Sequence, residues 1–202
     1  MKINEIKTIV IATNNKHKLE EYKQILTNYN IITLNDIGFS DDIEENGETF
    51  EENALIKAQA IHNYLKNKKQ EYIVLAEDSG LCVDALNGAP GVYSARYAGT
   101  HGDDQANRDK LQAELKGKER TAYFNCTIVL FYPNGLHKIF EGKTFGKISE
   151  KEIGSKEFGY DCVFYSKDLN KTFGEASEEE KNSVSHRGRA IKEMIKEINN
   201  NE

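Results

Sequence analysis

Short apolar runs alternate along the chain with stretches whose apolar residues recur every three or four positions. KTIVIAT (7–13) reads as a buried strand, and KHKLEEYKQILTNY (16–29) follows with Leu19, Tyr22, Ile25, Leu26 and Tyr29 at helical spacing. Thr49 and Glu52 form a capping-box pattern ahead of ALIKAQAIHNYLKN, where Phe50, Ala54, Ala58, Ile61 and Leu65 share a stripe. Asn53 and Lys57 sit one turn apart at the edge of that stripe. YIVLA (72–76) reads as a second buried strand, ending at the adjacent acids Glu77 and Asp78.

Further on, DDQANRDKLQAEL predicts a helix with an Asp near its start. RTAYFNCTIVLFY and LHKIFEGKTFGKI flank PNG and predict a hairpin, hence antiparallel pairing. HRGRAIKEMIKEI places Ile191, Met194, Ile195 and Ile198 on one helical face. Strands alternating with helices, plus a hairpin, predict an α/β fold with a mixed sheet. The chain shows no internal repeat or low-complexity linker and only two prolines, Pro90 and Pro133, so one continuous domain over 1–202 is expected.

Five stretches gather chemistry. In ATNNKHK (12–18) a polar loop between strand and helix aims backbone N–H groups and the positive helix end outward. Thr13, Asn14 and Asn15 offer hydrogen bonds there, and Lys16 and Lys18 offer charge, a set that fits a phosphate. The competing reading is a helix cap at Asn14 or Asn15 with solvated lysines. Neither GxxxxGK[ST] nor GxGxxG is present, so the loop is not a standard P-loop or dinucleotide fingerprint.

Glu44, Glu45, Glu77 and Asp78 are hard oxygen donors without His or Cys at ligand spacing, which suits magnesium or manganese and not zinc. A solvated acidic loop is the alternative for Glu44 and Glu45, whereas acids at a strand end of an α/β protein stand where ligands usually bind. EFGYDCVFY (157–165) sets Phe158, Gly159, Tyr160 and Asp161 before an apolar run, which serves either base stacking and edge reading or a glycine turn with core aromatics. EEEKNSVSHRGRA (178–190) puts Lys181, Ser185, His186 and Arg187 ahead of the last helix, where cations oppose the helix dipole unless an anion or electron-rich base is bound.

Bulk properties narrow the partners. With 202 residues, 38% hydrophobic, 30% charged and a net charge of -6, the chain is an ordinary globular composition and a poor nucleic-acid binder by bulk electrostatics. Cys82, Cys126 and Cys162 are odd in number and widely spaced, which suits buried thiols in a reducing compartment. The N-terminal apolar run is too short for a signal sequence and no segment reaches the length of a membrane span, so a cytoplasmic setting is expected.

Together, ATNNKHKLEE, GETFEENALIKA, EDSGLCVDALNGAPGVYSARYAG, FGYDCVF and EEKNSVSHRGRA resemble, in order and over almost the whole chain, the inosine triphosphate pyrophosphatase family. The resemblance implies an elongated mixed β-sheet flanked by helices, two lobes around a central cleft, and a homodimer. It implies magnesium-dependent hydrolysis of inosine or xanthosine triphosphate, ribo or deoxy, to the monophosphate and pyrophosphate. Carried over by motif, Thr13, Asn14, Asn15, Lys16, His17 and Lys18 hold the triphosphate, with Lys57 on the same phosphates. Asp78 is the proton acceptor and a metal ligand, Glu45 a second ligand, and Ser79 touches substrate. Phe158, Gly159, Tyr160, Asp161, Lys181, His186 and Arg187 surround the base.

The chain departs from the frequent pattern at Asn14 (often Gly), Glu77 (often Asp) and Cys162 (often Pro). Two rival expectations are a septum-inhibition-type pyrophosphatase of modified pyrimidine nucleotides and a nucleotide-binding module without turnover. Arg96 has no assigned role. Exclusion of guanine, which also carries a 6-keto group, must depend on the 2-position.

Overall fold

Thr8–Ile11 forms β1, whose residues from Ile9 to Ile11 are buried on both faces, as expected of a central parallel strand. The computed structural model describes residues 8–155 and 158–200, so Lys7 and Glu157, which belong to two of the quoted runs, lie outside it. α1 (Lys16–Ile25) leads from β1 to β2 (Asn30–Thr33), and α2 (Phe50–Asn67) leads from there to β3 (Ile73–Val83). β1 pairs in parallel with both, Thr8 opposite Asn30 and Ile9 opposite Ile73. After α3 (Asp104–Glu114) come β4 (Thr121–Phe131) and β5 (His137–Ile148). The turn between them is closed by Tyr132 N–H donating to the Leu136 carbonyl at 2.8 Å, which makes the expected hairpin. β6 (Phe164–Ser166) and β7 (Lys171–Thr172) add antiparallel pairs, and α4 (Glu178–Val184) and α5 (His186–Asn200) end the chain. The sheet is mixed, in the order β2-β1-β3-β4-β5-β6-β7.

The fold divides into two compact units, each with its own core. One takes the stretches up to Asp78, Thr127–Glu141 and from Ala190 onward; the other takes Ser79–Cys126 and Gly142–Arg189. In the first, Ala54, Ala58, Ile61 and Leu65 of α2 pack on Val10, Val74, Ala76 and Val129 of the sheet, the predicted stripe apart from Phe50, which is half-buried at the helix start. In the second, Leu81, Val83, Leu111, Phe124, Phe164 and Phe173 form the core, with Phe124 and Phe164 ring centroids 4.7 Å apart.

Several local expectations hold for stated reasons. The Thr49 hydroxyl accepts from Glu52 N–H while the Glu52 carboxylate accepts from Thr49 N–H, so the capping box starts α2. Asp103 caps α3 by accepting from Ala106 N–H. α1 stops earlier than its apolar spacing suggests: Leu26 caps it, and Thr27 to Tyr29 turn the chain into β2. β2, β6, β7 and the short α4 are elements that the apolar pattern does not predict. α4 is started by a second capping box, Ser177 with Glu180.

The largest correction concerns β3. It does not end at the two acids but runs on to Val83, so Glu77 and Asp78 lie mid-strand. Side chains alternate across a sheet, and successive residues therefore face opposite sides. Glu77 faces α1, and Asp78 faces α2.

Candidate active site

In the first unit, the loop after β1 is ordered by its own side chains. Thr13 Oγ1 accepts from Asn15 N–H, and Asn15 Oδ1 accepts from Lys18 N–H, so Asn15 does cap α1. Asn14, Asn15, Lys16 and His17 are exposed, and the first turn of α1 carries no acid. Cations in a helix's first turn are unfavourable toward its dipole, and a bound anion would offset this. Lys18 is the exception in placement, because its ammonium lies 2.9 Å from Glu77 Oε1. Glu77, only 2% exposed, also accepts from the Tyr22 hydroxyl at 2.6 Å. Burying a carboxylate is costly without such partners, and Glu77 in turn holds Lys18 in place. Glu77 is thus occupied on the face of the sheet away from Asp78.

Asp78 is 8% exposed and accepts from Asn53 Nδ2 at 3.0 Å. Asn53 Oδ1 in turn accepts from Gly47 N–H at 2.8 Å, which ties the acidic loop to the strand acid. Asn53, to which the motifs assign no role, is signalled in the sequence by its position one turn before Lys57. Lys57 pairs with Glu45 at 2.7 Å. Burial pushes the Asp78 carboxyl above its usual range, against the charges of Lys57 and Lys18 and the Asn53 hydrogen bond, while Glu45 pushes it further up. A carboxylate tuned in this direction is a better proton acceptor near neutral pH.

Glu45 and Asp78 thus share the neighbourhood of one lysine and offer hard carboxylate oxygens. Among the described residues no cluster of three or more His, Cys, Asp or Glu side chains forms a metal cage. Two carboxylates match magnesium, which keeps waters and takes substrate phosphate oxygens, and do not match zinc.

In the second unit, Ser79 follows on β3, and Arg187 Nη2 donates to its Oγ at 3.3 Å. Lys181, in α4 just ahead of the last helix, places its ammonium 2.6 Å from Asp161 Oδ2 and 5.4 Å from the Phe158 ring centroid. The side chains of this pair are 4% and 5% exposed. Phe158 is half-buried. Tyr160 is a core residue whose hydroxyl donates to the Ser94 carbonyl at 2.9 Å, so at this loop only Phe158 presents a ring for stacking. His186 opens α5 and lies flat on Phe124, ring centroids 4.7 Å apart and 12° between planes. Arg96, unassigned from sequence, lies over the Tyr93 ring at 5.3 Å.

The SHRG turn has a steric requirement. Ser185 Oγ accepts from Gly188 N–H, and a Cβ at Gly188 would fall 2.0 Å from the Asn182 carbonyl oxygen. Gly188→Ala is expected to destabilise the protein by about 2 kcal/mol or more, because backbone must shift to admit it. Thermal melting checks this; an unchanged melting temperature would show that α4 and α5 are not so closely joined.

A family model described as the Ham1 family matches residues 9–197. A Clostridium perfringens protein named dITP/XTP pyrophosphatase is 49% identical over 195 residues, covering 94% of this chain and 96% of that protein. A Bacillus subtilis protein of the same name is 46% identical over 196 residues, 95% and 96% of the two chains. Among solved structures, the Staphylococcus aureus Ham1 protein superposes with a TM-score of 0.86 at 41% identity, covering 97% of this chain and 100% of that one.

Proposed function

The chain belongs to the Ham1 family, and from that premise we infer that it hydrolyses the non-standard purine nucleoside triphosphates dITP, ITP and XTP to the monophosphate and pyrophosphate. The observation that carries the site assignment is Asp78, a buried carboxylate of raised basicity that Asn53 holds beside Lys57.

In this reading the first unit handles the triphosphate. Thr13, the exposed residues Asn14 to His17 and the α1 N-terminus bind phosphate oxygens, while Lys18, steadied by Glu77, and Lys57 balance their charge. Asp78 accepts a proton from the attacking water. Glu45 and Asp78 would hold a divalent ion, magnesium or manganese. The chemistry such an ion supplies is neutralisation of phosphate charge and orientation of the phosphorus.

The second unit handles the base. Phe158 stacks on it, and Ser79, Lys181, His186 and Arg187 present donors near it. Donors suit the 6-keto oxygen of hypoxanthine and xanthine and oppose the 6-amino group of adenine. A wrong base leaves a buried donor unpaired, which is costly. A homodimeric assembly, which rests on the resemblance alone, and a cytoplasmic setting complete the reading. Among the described residues no helix is long and apolar enough to cross a membrane.

Pyrophosphate release from inosine, xanthosine, adenosine and guanosine triphosphates, with and without magnesium, tests the proposal. Metal-dependent release from the first two is the expected result. Equal rates on all four would overturn the keto-reading donors, and no release from any would leave a binding protein.

A further inference from the structure

Gly159 lies within the loop assigned to the base, in the left-handed backbone region at φ +56°. Both polar groups of this residue are taken by one helix. Its N–H donates to Asp104 Oδ2 at 2.7 Å, and its carbonyl accepts from Arg108 Nη1 at 2.9 Å. Asp104 and Arg108 are four residues apart on α3 and so share one face of it. Arg108 is 2% exposed, and its guanidinium is fixed further by Glu152 Oε1 at 2.9 Å and Gln105 Oε1 at 2.8 Å. Gln105 Nε2 donates to the same Glu152 oxygen at 3.1 Å. The loop closes with Asp161 N–H donating to the Phe158 carbonyl at 3.1 Å. A four-residue turn carrying Phe158 and Asp161 is therefore gripped through charge-assisted hydrogen bonds by a helix outside every motif assigned to the site.

We propose that Asp104 and Arg108 are positioning residues for base selectivity, acting through Gly159 without touching the nucleotide. The inference rests on the reading that Phe158 stacks on the base and that Lys181, paired with Asp161, lies near it. A ring and a buried ion pair discriminate between bases only when their positions are fixed to within a fraction of an ångström. Free rotation of the Gly159 peptide would let Phe158 move and soften that discrimination. The triphosphate and metal residues belong to the other unit, so the chemical step itself is insensitive to the grip.

The test is steady-state kinetics of Asp104→Ala, Asp104→Asn, Arg108→Met and, as a reference, Phe158→Ala, with inosine and adenosine triphosphates. Asp103 remains as the cap of α3 in all of them. Loss of one charge-assisted bond is expected to raise KM for inosine triphosphate about tenfold, with kcat within about twofold, and to narrow selectivity over adenosine triphosphate by a similar factor. Asp104→Asn keeps an acceptor oxygen and recovers most of the loss. If Phe158→Ala raises KM and Asp104→Ala does not, the grip is overturned while the base assignment stands. If Phe158→Ala changes neither KM nor selectivity, the base assignment falls and takes the grip with it. A fall in kcat at constant KM and selectivity also overturns the proposal. Should Arg108→Met fail to fold, the two Asp104 variants decide the matter.

Discussion

Asp78→Asn is expected to lose about 10³-fold or more in pyrophosphate release, because in the proposed reading it removes a proton acceptor and a metal ligand together. It is expected to fold normally. An asparagine at 78 keeps an oxygen that accepts from Asn53 Nδ2, so the link to Gly47 survives. Stability should move in the opposite direction to activity. Burial raises the Asp78 pKa above its ordinary 3.8, so between that value and the folded one the native state holds more protons than the unfolded chain. The stabilisation that protonated Asp78 gives is complete below the unfolded value and is lost as pH rises through the folded one. In chelator-treated protein, Asp78→Asn should therefore melt at or above the native temperature at neutral pH, with the advantage shrinking toward acid. A variant that unfolds would show Asp78 to be structural, and one that keeps its activity would remove it from the mechanism.

The buried pair of Lys181 and Asp161 carries the second large effect. Lys181→Met leaves a carboxylate inside the second unit without its cation, and is expected to cost about 3 kcal/mol in urea unfolding. The loss should hardly change with salt, since the pair is shielded from solvent ions. Adding Asp161→Leu should return stability to within about 1 kcal/mol of native, because an apolar pair of similar volume avoids the desolvation of two charges. Selectivity should not return with it: the double variant retains the residues proposed for phosphate binding and Asp78 but has lost the cation over Phe158. A double variant as selective as the native chain would show that the pair serves folding only. A single variant that loses less than about 1 kcal/mol would place the pair in water.

What the sequence determined by itself is local. Period and capping chemistry act within a few residues, so β1, α2 with its capping box, α3, the β4–β5 hairpin and the apolar face of α5 were legible. Motif order brought the site residues together as a resemblance, and hard carboxylates without His or Cys limited the metal. β2, β6 and β7 were not legible, because each carries at most two consecutive apolar residues, against three in β1, and owes its extended form to neighbouring strands.

The tertiary structure decided what each polar residue does. An apolar run broken by two acids reads as a strand that ends there, since burial of a carboxylate is costly without a partner. The partners come from elsewhere in the chain: Tyr22 and Lys18 for Glu77, Asn53 for Asp78. With those supplied, β3 continues, and pleat alternation sends two adjacent acids to opposite faces and different tasks. The same holds for Tyr160, drawn into the core by the Ser94 carbonyl, and for Gly159, held by Asp104 and Arg108 some fifty residues away. A spacing pattern records which residues share a face. Which donors and acceptors meet across long separations depends on the packing of the whole chain.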